Sequence, residues 1–310
     1  MSHSSTYANR YKLSLLKFSG VDTKSFLQGQ LTNDVNSLNN GWQFSGYCNP
    51  KGRLLALLQI WENNDAIYAL IDTSLVEATV KRLRMYVMRS KVQIDVLEDI
   101  VFDCSLDTKN TRFAVICNEN THTLEYGNRA LIVDLSHAKE QDHNKQCNAL
   151  EHNTGEQSSD KPNSWELSCI EAGEPTINAS NLELFVPQMV NLDLLDGINF
   201  KKGCYTGQEI VARMHYLGKL KQRMFVCELI NENNNDGLNT GEKITATIDA
   251  SDDATEGKQT QRNAGNIVSF SQNKALAVLR IELINAKLKT ESGVTIKVCD
   301  EQPYEVSSET

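Results

Sequence analysis

The sequence predicts an α+β fold of two α/β lobes followed by a small β-barrel, and three observations lead there. Across residues 1–223, apolar runs of strand length are interleaved with capped helical stretches. They never fall into strict strand–helix alternation, which favours α+β lobes over a doubly wound sheet. After Arg223 the texture changes to short apolar or alternating runs, Met224 to Ile230, Lys243 to Ile248, Asn266 to Phe270, Ala275 to Ile281 and Val294 to Val298, parted by Asn, Asp and Gly clusters. That pattern reads as a separate barrel over 224–310. Within the first region, His137 to Ser164 is polar and nearly devoid of large apolar side chains, so a flexible insertion is expected there.

The elements follow in chain order. Val21 and Phe26 flank Asp22 as a hydrophobic staple around an N-cap, which opens a helix from Thr23 to about Leu31. Thr32-Asn-Asp34 is its polar exit. Leu54 to Trp61 and Ala66 to Ile71 are apolar runs on either side of Asn63-Asn-Asp65, a hairpin in the sheet core. Ser74 and Glu77 have capping-box spacing, and Val76, Val80, Leu83 and Val87 then recur at helical spacing. Lys81, Arg82, Arg84 and Arg89 give that helix a solvated basic face. Lys91 to Val96, Val101 to Ser105, Arg112 to Cys117 and Ala130 to Val133 read as strands. Asn163 and Glu166 form a capping pair, and the helix they open ends at Gly173 with Pro175 beyond.

Composition narrows the function. At 310 residues the chain is long enough for two or three lobes with buried cores. Hydrophobic residues make up 40% and charged ones 23%, as in a soluble globular protein, and no apolar run approaches the ~18 residues that cross a bilayer. The Ser-rich start is read as a frayed tail of a cytoplasmic protein. The eight cysteines include no Cys-x-x-Cys pair, so they are expected as reduced thiols and not as a metal site. A net charge of -9 argues against general nucleic-acid binding, so any RNA contact has to be local.

The chemistry concentrates between Ile198 and Arg213. Cys204 lies between two glycines, Gly203 and Gly207, just ahead of a helix that Thr206 and Glu209 are spaced to cap. There the helix dipole, with Lys201 and Lys202, favours a thiolate. The alternative is a buried cysteine that fills space. From Lys201 to Arg223 six Lys or Arg stand against one acid, Glu209, a local charge of +5, so the remainder of the chain carries -14. The island is expected to take an anionic group.

Lys202-Gly-Cys-Tyr-Thr-Gly-Gln-Glu209 resembles the signature of the YgfZ-type folate-binding, tRNA-modifying proteins, relatives of the glycine-cleavage T-protein, an aminomethyltransferase. Gly20-Val-Asp-Thr-Lys-Ser-Phe-Leu-Gln-Gly-Gln-Leu-Thr-Asn-Asp34 resembles their shared opening helix. Ile170-Glu-Ala-Gly-Glu-Pro175 and Phe185-Val-Pro-Gln-Met-Val-Asn-Leu-Asp193 are similar to the segments that precede the cysteine motif. The motifs run from about residue 13 to Arg223. The resemblance implies a T-protein-like architecture of two ferredoxin-like lobes and a barrel. It also implies a tetrahydrofolate cofactor, and as partners iron-sulfur enzymes, including those that modify tRNA. Trp165 and Glu171 match positions implicated in holding folate. An indole offers a flat apolar wall to a heterocycle, and a carboxylate accepts from its amino group and ring N–H. On the residues alone Trp165 is as readily a core side chain, and Asp34 either contacts folate or caps a turn. Lys202 and Arg223 are expected on the anionic tail, and Cys204 as the reactive thiol. The family's second folate-associated tryptophan falls on Leu13, with Tyr11 the nearest aromatic. The alternatives are a tetrahydrofolate-dependent aminomethyltransferase or demethylase and a purely structural interaction module.

Overall fold

The computed structural model describes residues 11–38, 41–106, 108–140, 161–230, 237–249 and 259–305. The first lobe comprises β1 (Leu13–Ser19), α1 (Thr23–Gln28), β2 (Trp42–Cys48), β3 (Leu54–Asn63), β4 (Ala66–Asp72), α2 (Val76–Val87) and β5 (Gln93–Glu98). The second comprises β6 (Val101–Leu106), β7 (Val115–Cys117), β8 (Thr121–Glu125) and β9 (Arg129–Asp134), after which β10 (Lys139–Glu140) returns to the first. Two helices, α3 (Lys161–Glu171) and α4 (Gln208–Tyr216), precede the strands β11 (Gln222–Ile230), β12 (Lys243–Asp249), β13 (Gln259–Ser271), β14 (Lys274–Arg280), β15 (Lys287–Thr290) and β16 (Thr295–Val298). The first sheet has the order β10-β5-β1-β4-β3-β2, the second β6-β9-β8-β7, and the last six strands close into a barrel. The fold is therefore α+β, two sheet-rich lobes and a C-terminal barrel, as the sequence predicts.

The near-continuous apolar run of β3 is explained by its place inside the sheet, where Leu54, Ala56, Leu58, Ile60 and Trp61 are almost fully buried. The β3–β4 hairpin turns through Asn64 and Asp65, both with positive φ (48° and 61°), the twist-matched turn that Asn and Asp tolerate. Helix α3 ends as expected. Gly173 takes φ +67°, its N–H bonds Ile170 O, and the Glu174 N–H reaches Cys169 O, a Schellman pair.

Other starts differ from expectation. Val21 is 84% exposed and makes no staple, and Asp22 gives no side-chain cap to α1 because its carboxylate accepts the Lys91 N–H at 2.7 Å. Helix α1 stops at Gln28, not Leu31. Ser74 does not cap α2. Asp72 accepts from the Ser74 N–H at 2.9 Å and caps a single 3-10 turn, Thr73–Leu75, that leads into the helix. Helix α3 begins at Lys161, two residues ahead of the expected Asn163. The strand expected from Arg112 is shortened to Val115–Cys117, β1, β2, β8 and β15 had no distinct expectation, and β10 (Lys139–Glu140) pairs with β5 inside the stretch expected as a flexible insertion. Of the polar stretch 137–164, residues 141–160, with His143, Cys147 and His152, lie outside the described residues.

His122 of β8 pins the two sheets together. Its Nδ1 accepts from the Trp61 indole N–H at 3.1 Å, its Nε2 lies 3.0 Å from the Asn63 amide, and the Tyr68 ring stands edge-on at 4.9 Å. An accepting Nδ1 carries no proton, and burial lowers the ring's pKa from 6.5. The unfolded chain therefore takes up a proton that the native ring refuses. The His122 contribution to stability should be intact above about 6.5 and decline as pH falls through the lowered native value. Thermal midpoints of wild type and His122→Gln measured from pH 8 to 5 should diverge least at the acid end. A constant difference across that range would show that His122 does not titrate with folding.

Candidate functional site at the cysteine loop

The loop that carries Cys204 is built on Leu31, Thr32 and Asn33. Thr32 is fully buried; its hydroxyl donates to Gly197 O and accepts from the Gly46 N–H, both at 2.7 Å, and its carbonyl accepts the Asn199 N–H at 3.0 Å. The Asn33 amide donates to Phe44 O at 2.9 Å and Asp196 O at 2.6 Å. Lys202 then reaches back, donating from Nζ to Leu31 O at 2.7 Å and Asn33 O at 2.8 Å, with the ammonium 5.3 Å above the Tyr205 ring. Burial pulls the Lys202 pKa down to about 8, against the opposing pull of Asp34. Asp34 accepts from the Gln28 amide at 2.9 Å and from the Asn36 N–H at 3.1 Å, and so caps the turn Val35–Ser37 beside the site.

Helix α4 is not capped by Thr206 and Glu209. Its N-cap is Gly207, at φ +84°, and a Cβ there would meet Asn49 O at 2.5 Å and Gly52 Cα at 3.0 Å. Close packing of Gly207 on the Asn49–Gly52 turn thus sets the helix start, and Thr206 lies one residue too early. Cys204 falls outside the helix in an open loop, exposed, where the dipole has little hold since its effect fades within the first turn. Gly203 has nothing within 4 Å of an added Cβ.

Of the basic island, Arg223 is engaged internally, with a two-pronged pair to Asp193 at 2.6 and 2.9 Å and a bond to Gln188 O at 3.0 Å. Lys201, Arg213, Lys219 and Lys221 are exposed and form no ion pair with another described residue. Next to the cysteine loop, Asn33, Asp196, Asn199, Phe200, Lys201, His215 and Tyr216 line an open pocket of about 400 Å³.

Trp165 and Glu171 sit elsewhere, on different faces of α3 as their helical spacing predicts. Trp165 is buried, edge-on to Tyr126 at 5.1 Å, with the Arg129 guanidinium 5.2 Å from its ring centre. Arg129 is itself buried and paired with Glu174, whose other oxygen is 3.7 Å from Arg112. Burial pushes the Glu174 carboxyl upward while Arg129 and Arg112 hold it down. Glu171 faces the barrel and pairs with Lys274 at 2.7 Å. Tyr11 packs edge-on to Phe102 at 6.4 Å, and Leu13 pairs with Asp72 in the first sheet. The Arg129–Glu174 pair escaped the sequence reading; its signal was an arginine opening the apolar run Ala130 to Val133.

Two outcomes follow from this loop. Gly207→Ala should lower stability by about 1–3 kcal/mol in urea unfolding, through its left-handed backbone and the contact with Asn49 O. In the native protein Cys204 should be alkylated by iodoacetamide before the six other described cysteines, of which Cys48, Cys104 and Cys227 are buried. Burial also pushes the thiols of Cys48 and Cys169 up to about 12. Peptide mapping that finds Cys204 labelled only after unfolding would count against its exposure.

Comparison with known proteins agrees with this architecture. Residues 243–303 match the family model described as CAF17, C-terminal beta-barrel domain. The fold is similar to that of the glycine cleavage system aminomethyltransferase T from Bartonella henselae, with a TM-score of 0.61 at 11% identity over 93% of this chain and 83% of that one. The tRNA-modifying protein YgfZ of Aliivibrio fischeri is 31% identical over 307 residues, which covers 95% of this chain and 91% of the relative. The protein of the same name from Photobacterium profundum is 33% identical over 222 residues, 68% of this chain and 66% of the relative. Identity of that extent, over a chain that carries the whole Lys-Gly-Cys-Tyr-Thr-Gly-Gln-Glu loop, makes this protein a member of the YgfZ family.

Proposed function

We propose that the protein is a folate-binding accessory factor that supports iron-sulfur enzymes, including those that modify tRNA, with Cys204 as its reactive thiol. The observation that carries this reading is the exposed Cys204 on a loop whose neighbour Lys202 is tied to Leu31 and Asn33 by two hydrogen bonds. A solvent-facing thiol two residues from an anchored lysine is suited to capture an electrophile or iron supplied by a client. One-carbon transfer onto folate by an aminomethyltransferase chiefly requires a positioned carboxylate and has no need of that thiol, which favours the accessory role. The names of the relatives support the same reading.

Tetrahydrofolate is assigned to the wall formed by α3 and the second lobe, with Trp165 and Glu171 as the side chains of α3 that would meet it, while Asp34, Lys202 and Arg223 belong to the separate cysteine loop and its seam. The residues there fit such a group in one respect that a closed core would not. The Nε of Arg129, beside Trp165, is buried without a hydrogen-bond partner among the described residues, a donor left for a ligand carbonyl. Trp165 acts through its packing on Tyr126 and Arg129, whereas Lys202 and Arg223 act by holding their loops, since their own donors are engaged. Folate would supply the one-carbon or redox-active pterin chemistry.

Calorimetry with tetrahydrofolate tests the ligand. Trp165→Leu, which keeps an apolar side chain but removes the ring, should weaken binding about two- to tenfold, the worth of an aromatic contact beyond burial. Unchanged affinity would move the ligand away from α3. Cys204→Ser should fold, retain folate and fail to restore iron-sulfur enzyme activity in cells that lack the protein. Full complementation would leave the thiol without a role.

A further inference from the structure

The C-terminal end of α4 presents aromatic rings to solvent beside the cations of the basic island. Phe200 and His215 stack face to face, with centroids 3.7 Å apart and planes 12° from parallel, and Tyr216 stands edge-on to His215 at 4.7 Å. Tyr216 is 64% exposed and Leu217 84% exposed. These rings form one wall of the open pocket of about 400 Å³, and Asp196 and Asn199 line it with them. The Asn199 side-chain oxygen is occupied by the backbone N–H groups of Lys201 and Lys202, at 2.8 and 3.0 Å, which leaves its NH2 as a donor. Lys201 is among the lining residues, and the exposed Arg213, Lys219 and Lys221 lie within five residues of Tyr216 in the chain. An exposed tyrosine ring set edge-on to a stacked Phe–His pair, an amide donor and a lining lysine match a planar heterocycle on an anionic backbone.

We propose that this pocket binds an unpaired base of a single-stranded nucleic acid, stacked on the exposed Tyr216 ring beside the His215–Phe200 pair, while the flanking phosphates lie on Lys201, Arg213, Lys219 and Lys221. Base–aromatic stacking accepts any base and needs it out of a duplex. An acidic protein surface would be attracted by the same cations but would make no use of the stacked rings. The chain's net charge of -9 confines the contact to the island, so three or four phosphates are neutralised. For single strands that gives a slope of log affinity against log salt of about -2 to -3. The proposal stands independently of the folate reading, which concerns the α3 wall.

Fluorescence anisotropy of the full chain with labelled, unstructured 12-nucleotide RNA and DNA strands and a duplex of the same length tests it. Both single strands should bind, with the salt slope given, and the duplex more weakly. Tyr216→Ala should weaken single-strand binding at least about fivefold. The double variant Lys219→Ala/Lys221→Ala should flatten the slope by about 1.4. All three positions are exposed, and unchanged thermal midpoints would confirm that the variants fold. Equal binding of duplex and single strand, or no effect of Tyr216→Ala, would overturn the proposal in favour of a plain anion-attracting surface such as an acidic protein would use. Displacement of the strand by tetrahydrofolate, with folate binding itself lost in Tyr216→Ala, would overturn it differently, by making the pocket the folate site.

Discussion

The backbone of Leu31, Thr32 and Asn33 passes through the core, and its polar groups have to be satisfied there without water. Leu31 O and Asn33 O are taken by the Lys202 ammonium, Thr32 O by the Asn199 N–H, and the Thr32 N–H by Gly46 O at 2.9 Å. Each such bond contributes roughly 0.5–1.5 kcal/mol net, but each one left unmade costs about 1–3 kcal/mol. The residue types follow from this demand. A hydroxyl at Thr32 both donates and accepts, the Asn33 amide does the same across two segments, and an ammonium at Lys202 serves two carbonyls at once. Cys204 follows two residues after that anchored lysine, exposed in its loop.

A second set of buried amides organises the long connection between α3 and α4. A stretch of some 35 residues with little regular structure would ordinarily count against a compact domain. Here Asn181 donates to Thr176 O and Val268 O, Gln188 to Val211 O, and Asn191 to Met224 O, at 2.7–3.0 Å. These side chains replace a strand ladder and tie the connection to α4 and the barrel. Arg223 and Asp193 close the same seam, which is why the strongest cation–carboxylate geometry of the island is directed inward.

The elements governed by their own periodicity were legible in the sequence. The β3–β4 hairpin, the apolar stripe of α2 and the glycine stop of α3 were all of this kind. The helix starts were less legible because a cap is a competition among neighbours. Asp72 outcompetes Ser74, and Gly207 is pressed onto the Asn49–Gly52 turn before Thr206 can act. In the site, the exposure of Cys204 could be anticipated from its glycines and charges. The engagement of Lys202 could not, since its acceptors lie 171 and 169 residues away in the chain. The Arg129–Glu174 pair was hidden for the same reason, with 45 residues between partners and an apolar strand around the arginine.

Strand β2 connects these regions because it is the edge of the first sheet. An exposed edge leaves a row of unpaired N–H and C=O groups that invites pairing with another chain. Here two short bridges cover it, Leu31 to Tyr47 at one end and Gly41 to Ala114 at the other. The first brings the Thr-Asn-Asp turn, and with it the cysteine loop, onto the strand. The second brings the other lobe, where the Trp42 indole donates to Glu125 O at 2.9 Å and its ring lies 4.4 Å from Tyr126, the neighbour of Trp165. The cysteine loop and the Trp165 wall are thus mounted on opposite ends of one strand, and protecting that edge is the same structural act as positioning these two separate regions.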